Sequence, residues 1–188
     1  MTPDARARRH APSFGLGNKL FRVVWGAAWL CLARFTPPPL HGWRVAVLRA
    51  FGARVGRGVR VYGSCRFWDP RRVDIGDGSV LGRGVHCYNQ GQVTIGRDVV
   101  ISWGATLCAS THDVEDPAFP LLLRPIVVAD HAWIAANAFV GPGVTVGEGA
   151  VLGACAVAMR RLEPWTYYSG NPAMALKPRA RFAESGGG

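Results

Sequence analysis

Ile95-Gly96-Arg97-Asp98-Val99-Val100 is followed by Ile101-Ser102-Trp103-Gly104-Ala105-Thr106 and by Leu107-Cys108-Ala109-Ser110-Thr111-His112. After the interval Asp113 to Pro125, rich in Asp, Glu and Pro, the beat resumes with Val128-Ala129-Asp130-His131-Ala132-Trp133, Ile134-Ala135-Ala136-Asn137-Ala138-Phe139 and Val140-Gly141-Pro142-Gly143-Val144-Thr145. An aliphatic residue opens nearly every hexad, with a small residue four places on. A period of six belongs neither to a helix (about 3.6) nor to an isolated strand (about 2). It fits a short strand plus a tight turn, with the opening aliphatic pointing inward. Three such units close one triangular coil, and coils stack by parallel strand pairing at about 4.8 Å. Each coil buries the open end of the next. Hexapeptide repetition is the pattern of a parallel β-helix, so an all-β solenoid is expected.

Working outward, the first coil starts at Val55 and the second at Ile75, each followed by two extra residues. The third is Ile95 to His112, and Val128–Thr145 and Val146–Glu163 follow, about five coils in all. Pro164 is read as stopping the beat, and Tyr167 to Pro172 lead to a basic tail. Before the solenoid, Leu20 to Phe35 is strongly apolar and ends at Pro37-Pro38-Pro39; a second short helix is expected over Gly42 to Phe51. Arg22 and the absence of a cleavage-site pattern argue against a signal peptide, and the run is too short for a spanning helix. The expected organisation is a helical segment over 1–52 and a solenoid domain over 53–188, with a loop at 113–125 and a C-terminal tail at 164–188. Met1–Ser13 and Gly186–Gly188 are expected to be frayed.

The net charge of +10 is unevenly placed. Residues 1–60 hold 11 of the 22 Lys and Arg but one acid, Asp4. Two readings are open: the helices cap the bare end of the solenoid, or residues 1–50 lie on an anionic membrane surface. Nucleic-acid binding is not expected, because the aromatics of this segment sit in apolar helical runs rather than among exposed basic residues. The five cysteines form no CxxC pair; reduced cytosolic thiols are expected, with Cys65, Cys108 and Cys155 on core or small-residue beats.

The hexads, a His closing a coil, Leu40-His41-Gly42-Trp43, Tyr88-Asn89-Gln90, Ser110-Thr111-His112-Asp113 and Ser169-Gly170-Asn171-Pro172 together resemble the hexapeptide-repeat acyltransferases. Within these the chain is similar to the maltose and galactoside acetyltransferase group, and most of all to the colanic-acid-type polysaccharide acetyltransferases. The resemblance spans residues 14 to about 180. It implies a left-handed β-helix, a homotrimer with active sites between neighbouring solenoids, and transfer of acetyl from acetyl-CoA to a hydroxyl of a nucleotide- or lipid-linked sugar in surface polysaccharide synthesis. A cytoplasmic location is expected, peripheral to the inner face of the membrane if the helices bind there.

For that reaction His112 is the expected general base, since an imidazole titrates near neutral pH. Asn89, Asp113, Tyr88 and Trp103 are candidates for orienting the base or holding the acceptor. The resemblance places Trp133, Ala135, Ala136, Gly153 and Ala154 along the pantetheine arm, with backbone N–H groups as oxyanion donors. Arg160, Arg161, Lys177 and Arg179 are candidates for the CoA phosphates. The sequence departs from the group at Gly82, where an Asn is usual, and at Met159-Arg160, where Thr-Lys is usual. Zinc is not expected, because His86 and His131 lie coils away from His112. The alternatives are a catalytically silent scaffold and, more remotely, a solenoid of the gamma carbonic anhydrase kind.

Overall fold

A computed structural model describes residues 14–182; the ends expected to be frayed, Met1–Ser13 and Gly186–Gly188, lie outside the described residues. The hexads build three parallel faces. The first carries Arg54–Val55, Val73–Ile75, Val93–Ile95, Ile126–Val128 and Thr145–Val146 in that order. The second carries Arg60–Val61, Val80–Leu81, Val100–Ile101, Trp133–Ile134, Val151–Leu152 and Thr166–Ser169. The third carries Arg66–Phe67, His86–Tyr88, Thr106–Cys108, Phe139–Val140 and Val157–Ala158. In-register pairs such as Leu81↔Ile101 and Ile101↔Ile134 stack one residue type on itself up the solenoid. Val61, Leu81, Ile101, Ile134 and Leu152 thereby form one fully buried column. Each buried side chain of this kind is stabilised by roughly 1.5–3 kcal/mol.

The fourth hexad position turns the chain and takes a left-handed backbone. Asp98 and Asn137 occupy it with φ of 53° and 56°, residue types that tolerate that region better than most. At Gly104 (φ +70°) a side chain is doubly excluded, because an added Cβ would come within 2.2 Å of Asn137 Oδ1 on the next coil.

The beat does not stop at Pro164. Val146 bridges to Leu162, so the fifth coil closes after 16 residues rather than 18. Thr166–Ser169 then adds a sixth rung, with Val151↔Tyr167 and Leu152↔Tyr168 in register. Counted from Leu162, Pro164 occupies the third hexad position, as Pro142 does in its own hexad. Trp165 supplies the left-handed turn at φ 52°. Met174–Pro178 folds back antiparallel along this last strand.

Helix α1 spans Leu16–Trp29, four residues earlier than expected at its start, and runs into one π turn, Leu30–Arg34. Helix α2 spans His41–Ala50. Both lie across the bare first coil, and their side chains donate to carbonyls of its strands. Trp25 Nε1 donates to Phe67 (2.9 Å) and Trp29 Nε1 to Cys65 (3.0 Å) on the third face. Arg44 Nε donates to Val61 (2.6 Å) on the second. Arg49 donates to Val55 through Nε (3.0 Å) and to Gly56 through Nη2 (2.8 Å) on the first. A sheet edge left bare is a template for aggregation; here it is occupied. Part of the basic excess therefore serves backbone carbonyls. The outward side of α1 remains apolar, with Leu16, Leu20 and Val23 exposed, as is Leu30 at the start of the π turn. No described helix is long and apolar enough to cross a membrane.

All five cysteines are free thiols. Cys65 and Cys87 are buried, and burial pushes the Cys65 pKa up to about 12 and that of Cys87 higher still. Cys108 is half-buried. Contrary to the expectation, Cys155 is exposed: it takes the left-handed turn position (φ 57°) rather than a core one.

Candidate active site

His112 ends a short strand, Ser110–His112, that leaves the corner between the third and first faces. It pairs antiparallel with Leu121–Leu123 in the register His112↔Leu121. The expected loop 113–125 is therefore a hairpin arm whose irregular tip is only Asp113 to Pro120. Two local turns fold the tip: Asp113 Oδ1 accepts from the Glu115 N–H (3.1 Å) and Asp116 Oδ1 from the Ala118 N–H (2.8 Å). They bring Phe119 back over the histidine. Its ring stacks on the imidazole at 4.3 Å with planes 8° apart. Its carbonyl lies 2.9 Å from His112 Nδ1. A carbonyl only accepts, so Nδ1 carries the proton. Nε2 is then left with its lone pair, on a side chain that is exposed. That is the tautomer a general base needs.

Asp113 makes no contact with His112 among the described residues; its Oδ1 accepts from the Glu115 N–H in the turn. Asn89 is not an acceptor contact. It is fully buried, its Oδ1 accepts from the Trp68 and Asp69 N–H groups (2.9 and 3.3 Å), and its Nδ2 donates to the Asp69 and Arg72 carbonyls. Asn89 shapes the corner of the first coil. Tyr88 is half-buried on the third face, edge-on to Trp68 (5.1 Å) and His86 (5.7 Å). Burial, aided by Arg66, lowers the His86 pKa.

The corner between the second and third faces gathers the other candidates. The third position of successive hexads there reads Gly63, Arg83, Trp103, Ala136 and Ala154. The Gly104 N–H donates to Arg83, the Asn137 N–H to Trp103 and the Cys155 N–H to Ala136 (each 2.9 Å), linking these turns coil to coil. Trp103 is 60% exposed. Trp133 faces outward on the adjoining second face and donates from Nε1 to Ser102 Oγ (2.9 Å). The Ala135 N–H is spent on the Leu152 carbonyl (2.8 Å), whereas the Ala136 N–H has no hydrogen-bond partner among the described residues. Small side chains and a free N–H make an open edge along which a narrow arm can lie.

Arg160 sits on the His112 corner, exposed and unpaired among the described residues; Arg161 is paired with Glu163 at 3.4 Å. Lys177 lies 5.3 Å from the Tyr167 ring on the returning strand. Arg179 fastens the tail, its Nη1 donating to the His131 and Gly149 carbonyls (3.1 and 2.9 Å). The protomer thus holds its candidate base on one corner and Ala136 with Ala154 on another, and does not bring them together. Among the described residues no three His, Cys, Asp or Glu group so as to hold a metal.

The sequence matches the family described as bacterial transferase hexapeptide (six repeats) over residues 125–157. It is 34% identical over 163 residues to the putative colanic acid biosynthesis acetyltransferase WcaF of Escherichia coli, covering 87% of this chain and 90% of that protein. The fold superposes on a hexapeptide-repeat acetyltransferase of Vibrio cholerae complexed with acetyl coenzyme A, with a TM-score of 0.80 at 22% identity over 92% of this chain and 94% of that one. It superposes equally on a galactoside acetyltransferase in complex with coenzyme A (TM-score 0.80, 21% identity, 95% and 91% covered). The solenoid is a left-handed parallel β-helix, the hand the resemblance implied. The chain belongs to the hexapeptide-repeat acetyltransferases.

Proposed function

We propose that this protein transfers the acetyl group of acetyl-CoA to a sugar hydroxyl of a surface polysaccharide or its carrier-linked precursor, as a homotrimer whose sites lie between neighbouring solenoids. The observation that carries this reading is His112, with Nδ1 tied to the Phe119 carbonyl and Nε2 open. The likeness to WcaF, whose name assigns it to colanic acid biosynthesis, supports the polysaccharide acceptor.

Acetyl-CoA supplies the acyl group as a thioester. His112 Nε2 takes the acceptor hydroxyl proton as that oxygen attacks the thioester carbon. The Ala136 N–H is the donor for the oxyanion that develops. As the carbon–sulfur bond breaks, the imidazolium returns its proton to the departing thiolate. Because His112 and Ala136 stand on different corners of one protomer, the reading pairs the His112 and Arg160 corner of one chain with the Ala136 and Ala154 corner of its neighbour. Repeating that head-to-tail contact around a closed ring fits three chains. Arg160 and Lys177 are the cations for the CoA phosphates, and Trp103 is the ring on which a sugar stacks.

The exposed apolar side of α1 (Leu16, Leu20, Val23), continued by Leu30 of the π turn, supports contact with an anionic membrane surface while Trp25 and Trp29 hold the helix to the solenoid. The test is thiol release from acetyl-CoA by the purified protein against nucleotide sugars and lipid-linked oligosaccharides. Acetylated sugar is expected with at least one of them, and its absence with all of them in wild-type protein overturns the proposal.

A further inference from the structure

Below Trp103, toward the helical cap, the corner that carries Ala154 and Ala136 changes from small and neutral to cationic. A cavity of about 310 Å³ opens there, between the end of α1 and the first two coils. It is lined by Arg34, Arg44 and Arg83 with Thr36, Tyr62 and Ser64 among its other walls, and no carboxylate of the described residues borders it. None of the three guanidinium groups is in an ion pair among the described residues. Arg44 is fully buried, and its N–H groups point at Val61, Thr36, Pro37 and Pro38, all neutral acceptors. Its charge is therefore held in place without being neutralised. The Arg83 side chain is exposed and makes no hydrogen bond among the described residues; Tyr62 is its neighbour, 5.7 Å from ring centre to guanidinium. Ser64 Oγ accepts from the Gly84 N–H (2.9 Å), which leaves its own proton to donate. Arg34, Arg83 and the Ser64 hydroxyl supply donors around one opening, with the fixed charge of Arg44 behind them, and together form a site for a compact polyanion.

The position of the cavity gives the anion a role. On the proposed reading, on which this inference rests, the acyl donor runs along Ala154 and Ala136 and the reaction lies near the level of Trp103. The acceptor then approaches from the opposite side. Arg83 is one coil below Trp103, and the cavity spans the two lowest coils, so the cations stand roughly 5–10 Å from the reaction level. One sugar ring bridges that span. We infer that this cavity binds the diphosphate through which the acceptor sugar is joined to its carrier, and that Arg83 determines the preference for carrier-linked over free sugars. The diphosphate is common to nucleotide-linked and polyprenyl-linked sugars, and the experiment separates them.

Binding of inorganic pyrophosphate is measured by calorimetry on the full-length wild type and on Arg83→Ala, Arg34→Ala and Arg57→Ala, the last being a surface cation outside the cavity. The wild type is expected to bind, each cavity variant to lose about tenfold or more in affinity, and Arg57→Ala to match the wild type. No binding, or equal losses in all three variants, overturns the site. In parallel, acetyl transfer is measured to a nucleotide diphosphate sugar, to a polyprenyl diphosphate sugar in detergent, and to the methyl glycoside. A diphosphate acceptor is expected to exceed the glycoside in kcat/KM by about tenfold or more, the advantage lying in KM and vanishing in Arg83→Ala. Whichever diphosphate acceptor turns over identifies the carrier. Equal turnover of the glycoside overturns the inference while leaving acetyl transfer intact. Pyrophosphate binding lost in Arg83→Ala, with no acceptor acetylated by wild type, supports the anion site and overturns the transferase reading.

Discussion

The tautomer of His112 depends on one backbone carbonyl seven residues away, held there by the turns at Asp113 and Asp116. His112→Ala is expected to lower acetyl transfer by about 100-fold or more, the usual scale for a general base. The melting temperature should hold, because the side chain stands outside the core; activity within about tenfold of wild type contradicts the assignment. The position of this residue was legible from the beat breaking at it. Its orienting partner was not, since nothing in the order His112 to Phe119 shows that the tip doubles back. The failures at Asn89 and Cys155 share a cause: a repeat assigns a residue to a coil more securely than it assigns the direction of a side chain at a corner. Cys155 carries a prediction of its own. It adjoins Ala154 on the open corner, so a maleimide should modify it in native protein and acetyl-CoA should protect it, while Cys65 and Cys87 react only after unfolding. Modification of Cys155 at the same rate with and without acetyl-CoA contradicts a pantetheine path there.

Among the elements, the helical cap and the first coil stand or fall together. Trp25 and Trp29 bury their rings at 5.2 Å from each other and give their N–H groups to the exposed edge of the third face. Trp25→Ala should cost about 3–5 kcal/mol, seen as a lowered denaturation midpoint with the chain still folded at low denaturant. The corner of that coil adds a pH dependence. Burial pushes the Asp69 pKa up, but hydrogen bonds and charge from Arg71 outweigh it and hold the carboxyl below its ordinary value. A depressed folded value means stabilisation that is complete above about pH 4 and lost as pH falls through the folded pKa. Asp69→Asn should therefore flatten the acid limb of a melting-temperature profile; an unchanged limb contradicts the linkage. The short fifth coil shows why the end of the solenoid was misread. Counting 18 residues from Val146 put Pro164 out of phase. Closure at Leu162 puts it back in phase, and the omission of two residues at a turn leaves no mark in composition.

For the whole molecule, arginines of the basic excess cap carbonyls at one end, and the exposed apolar side of α1 there has its proposed place on an anionic surface. Full-length protein should sediment with vesicles containing anionic lipid at low salt and be released as salt screens the charge; indifference to such vesicles at low salt contradicts surface contact. The fold was legible because every coil repeats the same instruction. The assembly was not, because a repeat specifies how coils stack and leaves open which corners meet in a neighbour. The claim that the site joins two chains is tested most directly by complementation. His112→Ala, with an intact Ala136 corner, and Ala136→Trp, with an intact histidine but an obstructed corner, are each expected to be inactive as pure proteins. Co-expressed under two tags and purified through both, mixed trimers should regain roughly a third of wild-type activity, because one of the three sites in every mixed ring sets an intact His112 against an intact corner. Mixed particles that co-purify yet stay as inactive as either parent contradict a site shared between chains.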